Sequence, residues 1–199
     1  MEVTPPYDLF VRLLGQLGPR FEEAAAIRRR SVDLLRRRIL ISESLAEVNG
    51  KHLFGPTKTH AARRIPLTSS LADALTEHLD PVAADPAALV FTSPQGAPLR
   101  HSLFRSRFWL PALERAGLPP IGLHVLRHSA TAAMIRTGAS AKTVQTVLGH
   151  ASAAFTLTVH GHMLDVHLDD PAGRLEELAR DGDGIEVGRL SDRRDAVGH

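Results

Sequence analysis

Apolar positions crowd the start of the chain. Tyr7, Leu9, Phe10, Val11, Leu13, Leu14 and Leu17 recur densely enough to predict a buried helix, which Gly18 and Pro19 stop. Proline is tolerated in the first turn of a helix, where its missing N–H would be unpaired anyway. A second helix is therefore expected from Arg20 through Ile27. Beyond Val32, Asp33 and Leu34 the pattern turns to strand. Ile39, Ile41, Ser42 and Ser44 predict one strand, Asn49-Gly50 a tight hairpin turn, and His52 to Phe54 the return. Gly55 to Thr59 reads as a loop and Arg63 to Leu67 as a third strand, giving one small antiparallel sheet between Arg38 and Leu67.

Helical spacing resumes at Ser70 to Leu79. A Pro- and Ala-rich connection follows from Asp80 to Pro86, then a short apolar piece at Leu89 to Phe91 and a turn at Ser93-Pro94-Gln95-Gly96. The helix after Arg100 carries Leu103, Phe104, Phe108, Trp109 and Leu113, with a kink expected at Pro111 and a break from Leu118 to Gly122. Next come His124 and Arg127, three apart and so on one helical face, backed by an apolar stripe of Leu126, Ala130, Ala133 and Met134. Gly138 closes that helix and Ser140 caps the next, whose period runs through Ala141, Val144, Gln145 and Leu148 to Gly149 and His150. A third short helix is expected from about Ser152, delivering Val159, His160, Gly161 and His162. After His167 the chain turns acidic and Gly-rich, with one amphipathic helix at Pro171 to Ala179 and disorder expected beyond Asp181. The fold class is mainly α with a small antiparallel β-sheet, α+β, divided into a body of residues 1–167 and a tail of residues 168–199.

Composition narrows the function classes. A chain of 199 residues, 43% hydrophobic, buries one sizeable core. It contains no cysteine, so disulfides and thiolate metal sites are excluded, and a reducing cytoplasm is the compatible location. No apolar run approaches the roughly 20 residues of a membrane span, so no membrane partner is expected. The net charge of +2 hides an asymmetry: residues 1–164 hold 19 Lys/Arg against 12 Asp/Glu, and residues 165–199 hold 5 against 10. Most of the positive charge is arginine, clustered at Arg28 to Arg30, at Arg36 to Arg38, at Arg63 with Arg64, and at Arg100, Arg105 and Arg107. A basic body suits a polyanion, although solvated helix faces would carry the same charges.

The candidate chemistry lies in ordered motifs. His-Val-Leu-Arg-His-Ser from His124, then Thr137-Gly138, Leu148-Gly149-His150-Ala151-Ser152, and Thr156-Leu157 through His160-Gly161-His162 together resemble the C-terminal half of a tyrosine recombinase (phage integrase) catalytic domain. Upstream, Gly18-Pro19-Arg20-Phe21-Glu22-Glu23 is similar to the family's first arginine motif, with an acid three residues on. Gly55-Pro56-Thr57-Lys58-Thr59 lies where the family carries its lysine. The resemblance covers roughly residues 5–165, and the ordered set is more specific than any single motif.

The resemblance implies a double-stranded DNA partner, acting with further copies of the chain or another recombinase, in a protein of a mobile element concerned with DNA integration and recombination. It implies no cofactor and no metal. Without a metal, arginines hold the charge that develops on the phosphate, so Arg20 and Arg127 would donate in pairs to the non-bridging oxygens. Lys58 would protonate the leaving 5′ oxygen, His124 would take and return the nucleophile's proton, and His150, 23 residues beyond Arg127, would hydrogen-bond the phosphate. Each has an ordinary rival: Arg20 as a helix-start partner of Glu23, Lys58 as an exposed loop lysine, and His150 as a helix-end residue favoured by the dipole.

The departures are specific. His160 stands at the position of the nucleophilic tyrosine, Pro19 replaces a core leucine, Glu22 a small residue and Ser31 an acid. Tyr7, the only tyrosine, belongs to the opening core helix. Read by itself, the chain is also expected to lack the helical N-terminal domain that clamps the far side of the duplex. The implied function is a DNA-binding, integrase-like domain with impaired strand transfer. The alternative is a phosphodiesterase or nicking enzyme using His160 or water. A metal site from His150, His160, His162 and His167 is disfavoured, because residues two apart on a helix do not converge on one ion.

Overall fold

The structure is a computed structural model that describes residues 7–48, 50–57, 61–80 and 85–149. Helix α1 spans Asp8–Leu17 and buries Leu9, Phe10, Val11, Leu13, Leu14 and Leu17, as its apolar density predicts. It stops at Gly18, whose φ of 69° few L side chains tolerate and whose N–H caps Leu14 O at 3.0 Å. Helix α2, Phe21–Ala25, is shorter than expected at both ends. Arg20 is its extended N-cap rather than a helical residue, and after Ala26 the backbone leaves to pair with a neighbouring segment, Ile27 O accepting Val90 N–H at 2.9 Å.

Two sheets form where one was expected. Strands β1 (Val32–Asp33), β2 (Arg38–Ile41) and β5 (Arg63–Pro66) make an antiparallel sheet in the order β1-β2-β5, with Ile39 opposite Ile65 and Ile41 opposite Arg63. Strands β3 (Glu43–Val48) and β4 (Lys51–Pro56) pair separately as a hairpin arm, with Leu45 opposite Phe54 and Gly50, at a φ of 73°, ahead of the returning strand. The division falls at Ser42: β5 is four residues long and ends its pairing with β2 there, so the outgoing chain takes β4 as its partner. Consequently β4 continues to Pro56, past the point where a loop was expected.

Helix α3 (Ser69–Leu79) begins under a Thr68 cap and buries Leu71, Ala72, Leu75 and Leu79. The segment after Arg100 forms α4 (His101–Phe104), a widened turn over Arg105–Trp109 and α5 (Leu110–Arg115). In place of a simple kink at Pro111, the turn ahead of it widens, so that Leu110 N–H reaches back to Arg105 O. Trp109 is buried there and donates from Nε1 to Ile121 O at 2.8 Å.

Helices α6 (His124–Arg136) and α7 (Ala141–Leu148) complete the body, with α6 packed along α1. Gly138 ends α6 and the Ser140 hydroxyl accepts Thr143 N–H at 3.1 Å, both as expected. The buried line of α6 differs: it is Arg127, Ala130, Thr131 and Ile135, with Leu126 and Met134 only half-buried. An arginine occupies a core position because backbone carbonyls wait for it there. No helix among the described residues is long and apolar enough to cross a membrane. The helices expected near Ser152 and at Pro171 to Ala179, and the disorder expected beyond Asp181, lie outside the described residues.

Candidate functional site

Two helix ends and one buried carboxylate build the site. The free carbonyls at a helix C-terminus attract a cation, and α1 and α7 end close together. Arg127, 5% exposed, spans them: Nη1 donates to Gly18 O at 2.6 Å and Nη2 to Leu148 O at 2.9 Å. The close approach requires glycine, because a Cβ on Gly18 would meet Leu148 Cδ2 at 2.7 Å and Ala130 Cβ at 3.1 Å. Burial first, then the positive charges of Arg20 and Arg63, lower the Arg127 pKa to about 10 against the opposing pull of Glu23, which leaves it cationic at neutral pH.

Glu23, 1% exposed at the third position of α2, is the second anchor. It accepts Arg20 N–H at 2.9 Å and Arg20 Nη1 at 3.2 Å, closing the first turn of the helix. It also accepts two bonds from Arg63, Nη1 at 3.1 Å and Nη2 at 2.6 Å. Burial would push this carboxyl up, but the hydrogen bonds and charges of Arg63 and Arg20 outweigh it and hold the pKa below the ordinary value.

Beside these anchors lies a cleft of about 200 Å³ walled by Pro19, Arg20, Phe21, Glu22, His101, His124 and Arg127. His124 is depressed from its ordinary pKa, first by loss of solvent and then by His128, Arg127 and Arg20, while Glu22 pulls the other way. Its ring lies 5.0 Å from that of His128. The cleft thus combines two guanidinium groups, the imidazoles of His101 and His124, the latter neutral at pH 7, and one opposing carboxylate. It suits a tetrahedral anion with a proton acceptor at its side. A larger cleft of about 470 Å³, walled mainly by apolar side chains such as Tyr7, Leu103 and Phe108, also carries Arg100, Arg107 and His52 but none of the residues singled out in the sequence as catalytic. No group of three or more potential metal ligands occurs among the described residues.

Of the residues singled out in the sequence, Arg20, His124 and Arg127 line one cleft. Lys58, His150 and His160 lie outside the described residues. Sequence reasoning missed two neighbours. Arg63 counted only as part of a basic cluster, yet it alternates with Ile65 on the buried face of β5, and that period-two pattern was its signal. His101, edge-on to Phe21 at 4.9 Å, had no signal in the sequence.

A model of the phage integrase family matches residues 5–165. The chain is 31% identical over 159 residues to the tyrosine recombinase XerC of Roseiflexus castenholzii, covering 77% of this chain and 46% of that protein. To the integrase of Mycobacterium phage D29 it is 27% identical over 185 residues, covering 89% and 49%. The chain therefore spans about half the length of these curated relatives. In solved structures, the fold recurs in the Tn1549 transposon integrase in complex with circular intermediate DNA, at a TM-score of 0.69 and 20% identity, covering 79% of this chain and 56% of that one. It recurs also in the catalytic domain of bacteriophage HP1 integrase, at a TM-score of 0.56 and 20% identity, covering 89% and 83%. At such identities the likeness is one of fold.

Proposed function

The chain belongs to the phage integrase family, and from that membership we propose that its cleft takes a phosphodiester of duplex DNA, in a unit derived from DNA integration and recombination. The observation that carries the reading is that Arg20 and Arg127 wall the same 200 Å³ space as His124. Arg127 has committed two of its five N–H donors to backbone, so it is fixed in place and still has donors for an anion. Arg20 keeps 25% of its side chain exposed at the cleft. The depressed His124 is neutral at working pH and can accept a proton from an attacking group. In this reading Lys58 and His150 join them from the flanking segments, Lys58 as proton donor to the leaving oxygen and His150 as a phosphate donor.

The proposed unit is residues 1–167, with 168–199 as an acidic tail, and on DNA it works beside further copies or a partner recombinase. Strand transfer is impaired. His160 stands where the family places its tyrosine, and an imidazole nitrogen has a shorter reach and makes a labile phosphoramidate in place of a phosphotyrosine ester. Glu22 adds a negative charge to the wall that a phosphate must approach.

Binding is tested by fluorescence anisotropy on a labelled duplex across a salt series. The expected result is weak binding that falls steeply with salt, as counterion release demands. Equal affinity at low and high salt would contradict it.

A further inference from the structure

Arg63 is 8% exposed in β5 and lies outside the wall of the cleft. All three nitrogens of its guanidinium are engaged: Nη1 donates to Glu23 Oε1 at 3.1 Å, Nη2 to Glu23 Oε2 at 2.6 Å, and Nε to Val147 O at 2.8 Å. The next carbonyl along α7, Leu148 O, takes Nη2 of Arg127 at 2.9 Å. Adjacent carbonyls of one helix end therefore fix Arg63 and Arg127 side by side, while one carboxylate joins Arg63 to Arg20. The backbone closes tightly on this node, since a Cβ on Gly149 would lie 2.8 Å from Arg63 Nη1.

The distances say how the charge is shared. Arg63 meets both oxygens of Glu23, whereas the Arg20 side chain reaches one of them, at 3.2 Å. A carboxylate satisfied by a bidentate fork has little left to neutralise a second guanidinium. From this we infer that Arg63 is a positioning residue of the phosphate cleft: by taking Glu23 and the end of α7, it leaves the Arg20 guanidinium available to an anion and keeps Arg20 and Arg127 in register. The inference rests on the reading of the cleft as a phosphate site. Without Arg63, Glu23 has Arg20 as its remaining hydrogen-bonded cation and draws that guanidinium out of the cleft.

A structural role alone would weaken anion binding equally at every pH, and this role does not. Around Glu23 stand Arg20 at the start of α2, Arg63 from β5 and Arg127 from α6, while Glu22 and His124 act on each other at the cleft wall. Glu43 of the adjoining β3 is held by Arg28 and Arg30. Burial pushes the Glu23 carboxyl up and Arg63 is the chief group holding it down. In Arg63→Met its protonation therefore moves towards neutral pH, and a protonated Glu23 releases Arg20. His124 titrates in all variants, so each is compared with the unmodified chain at the same pH.

The probe is sulfate, a dianion throughout the range, followed by the arginine side-chain NMR shifts of the full chain. At about pH 8, Arg63→Met should bind roughly tenfold more weakly than the unmodified chain, and at about pH 5 the gap should close to under about threefold. Adding Glu23→Gln to Arg63→Met should bring binding within about threefold of the unmodified chain at both pH values. If Arg63→Met fails to fold by circular dichroism, Arg63→Lys, which keeps the charge without the fork, should show the same pH-dependent gap at smaller size. Equal losses at both pH values, no loss in a folded variant, or no recovery with Glu23→Gln would each overturn the role of Arg63 while leaving the cleft reading intact. An unmodified chain whose Arg20 and Arg127 signals ignore sulfate would overturn both.

Discussion

A buried arginine must satisfy its donors before it can serve chemistry, and Arg127 does so on two helix ends while Arg63 does so on Glu23 and α7. Glu23 is the charge on which this arrangement turns. Its folded-state pKa is depressed, so the stability it contributes is fully present above its unfolded value of about 4.5 and is lost as pH falls through the folded value. Glu23→Gln should accordingly cost about 3–5 kcal/mol near neutral pH, the penalty for leaving a buried cation without its anion. The difference from the unmodified chain should shrink as acid protonates Glu23. Urea unfolding at neutral and at acid pH measures both, and a cost that is unchanged in acid would show that Glu23 acts by shape rather than by charge.

The elements divide into those that local pattern specifies and those that partners specify. Helices α1, α3, α6 and α7, the Gly18, Gly138 and Gly149 stops, and the hairpin turn were legible because period, caps and turn residues are local. The break at Ser42 was not, because what changes there is which strand lies alongside. Arg127 and Arg63 were legible as cations but not as core residues, since their burial depends on carbonyls and a carboxylate from distant parts of the chain. The arm of β3 and β4 is held to the body by Arg28, which donates to Glu43 at 2.8 Å and lies 4.6 Å over the Phe54 ring, and by Arg100, which donates to Gly50 O at 2.9 Å. Arg28→Ala should therefore raise amide hydrogen exchange in β3 and β4 by about tenfold or more, with β2 and β5 unchanged. Equal acceleration in all four strands would show that the two sheets open as one.

Across the whole sequence the charge is unevenly spread: residues 1–164 carry 19 Lys/Arg against 12 Asp/Glu, and residues 165–199 carry 5 against 10. Deleting residues 168–199 should tighten duplex binding at low salt and steepen its salt dependence, because a competing polyanion is removed. The same anisotropy series reads it, and unchanged binding would mean that the tail does not compete with DNA. The central claim, a phosphate cleft intact in its arginines and lacking its nucleophile, meets its most direct test on a nicked suicide duplex resolved by denaturing gel. The unmodified chain should leave no covalent protein–DNA adduct. His160→Tyr, alone or with Glu22→Gly to clear the cleft wall, should leave one that disappears when Arg20→Ala is added. An adduct on the unmodified chain that is acid-labile, alkali-stable and lost in His160→Ala would contradict the claim, as would the absence of any adduct from His160→Tyr with Glu22→Gly.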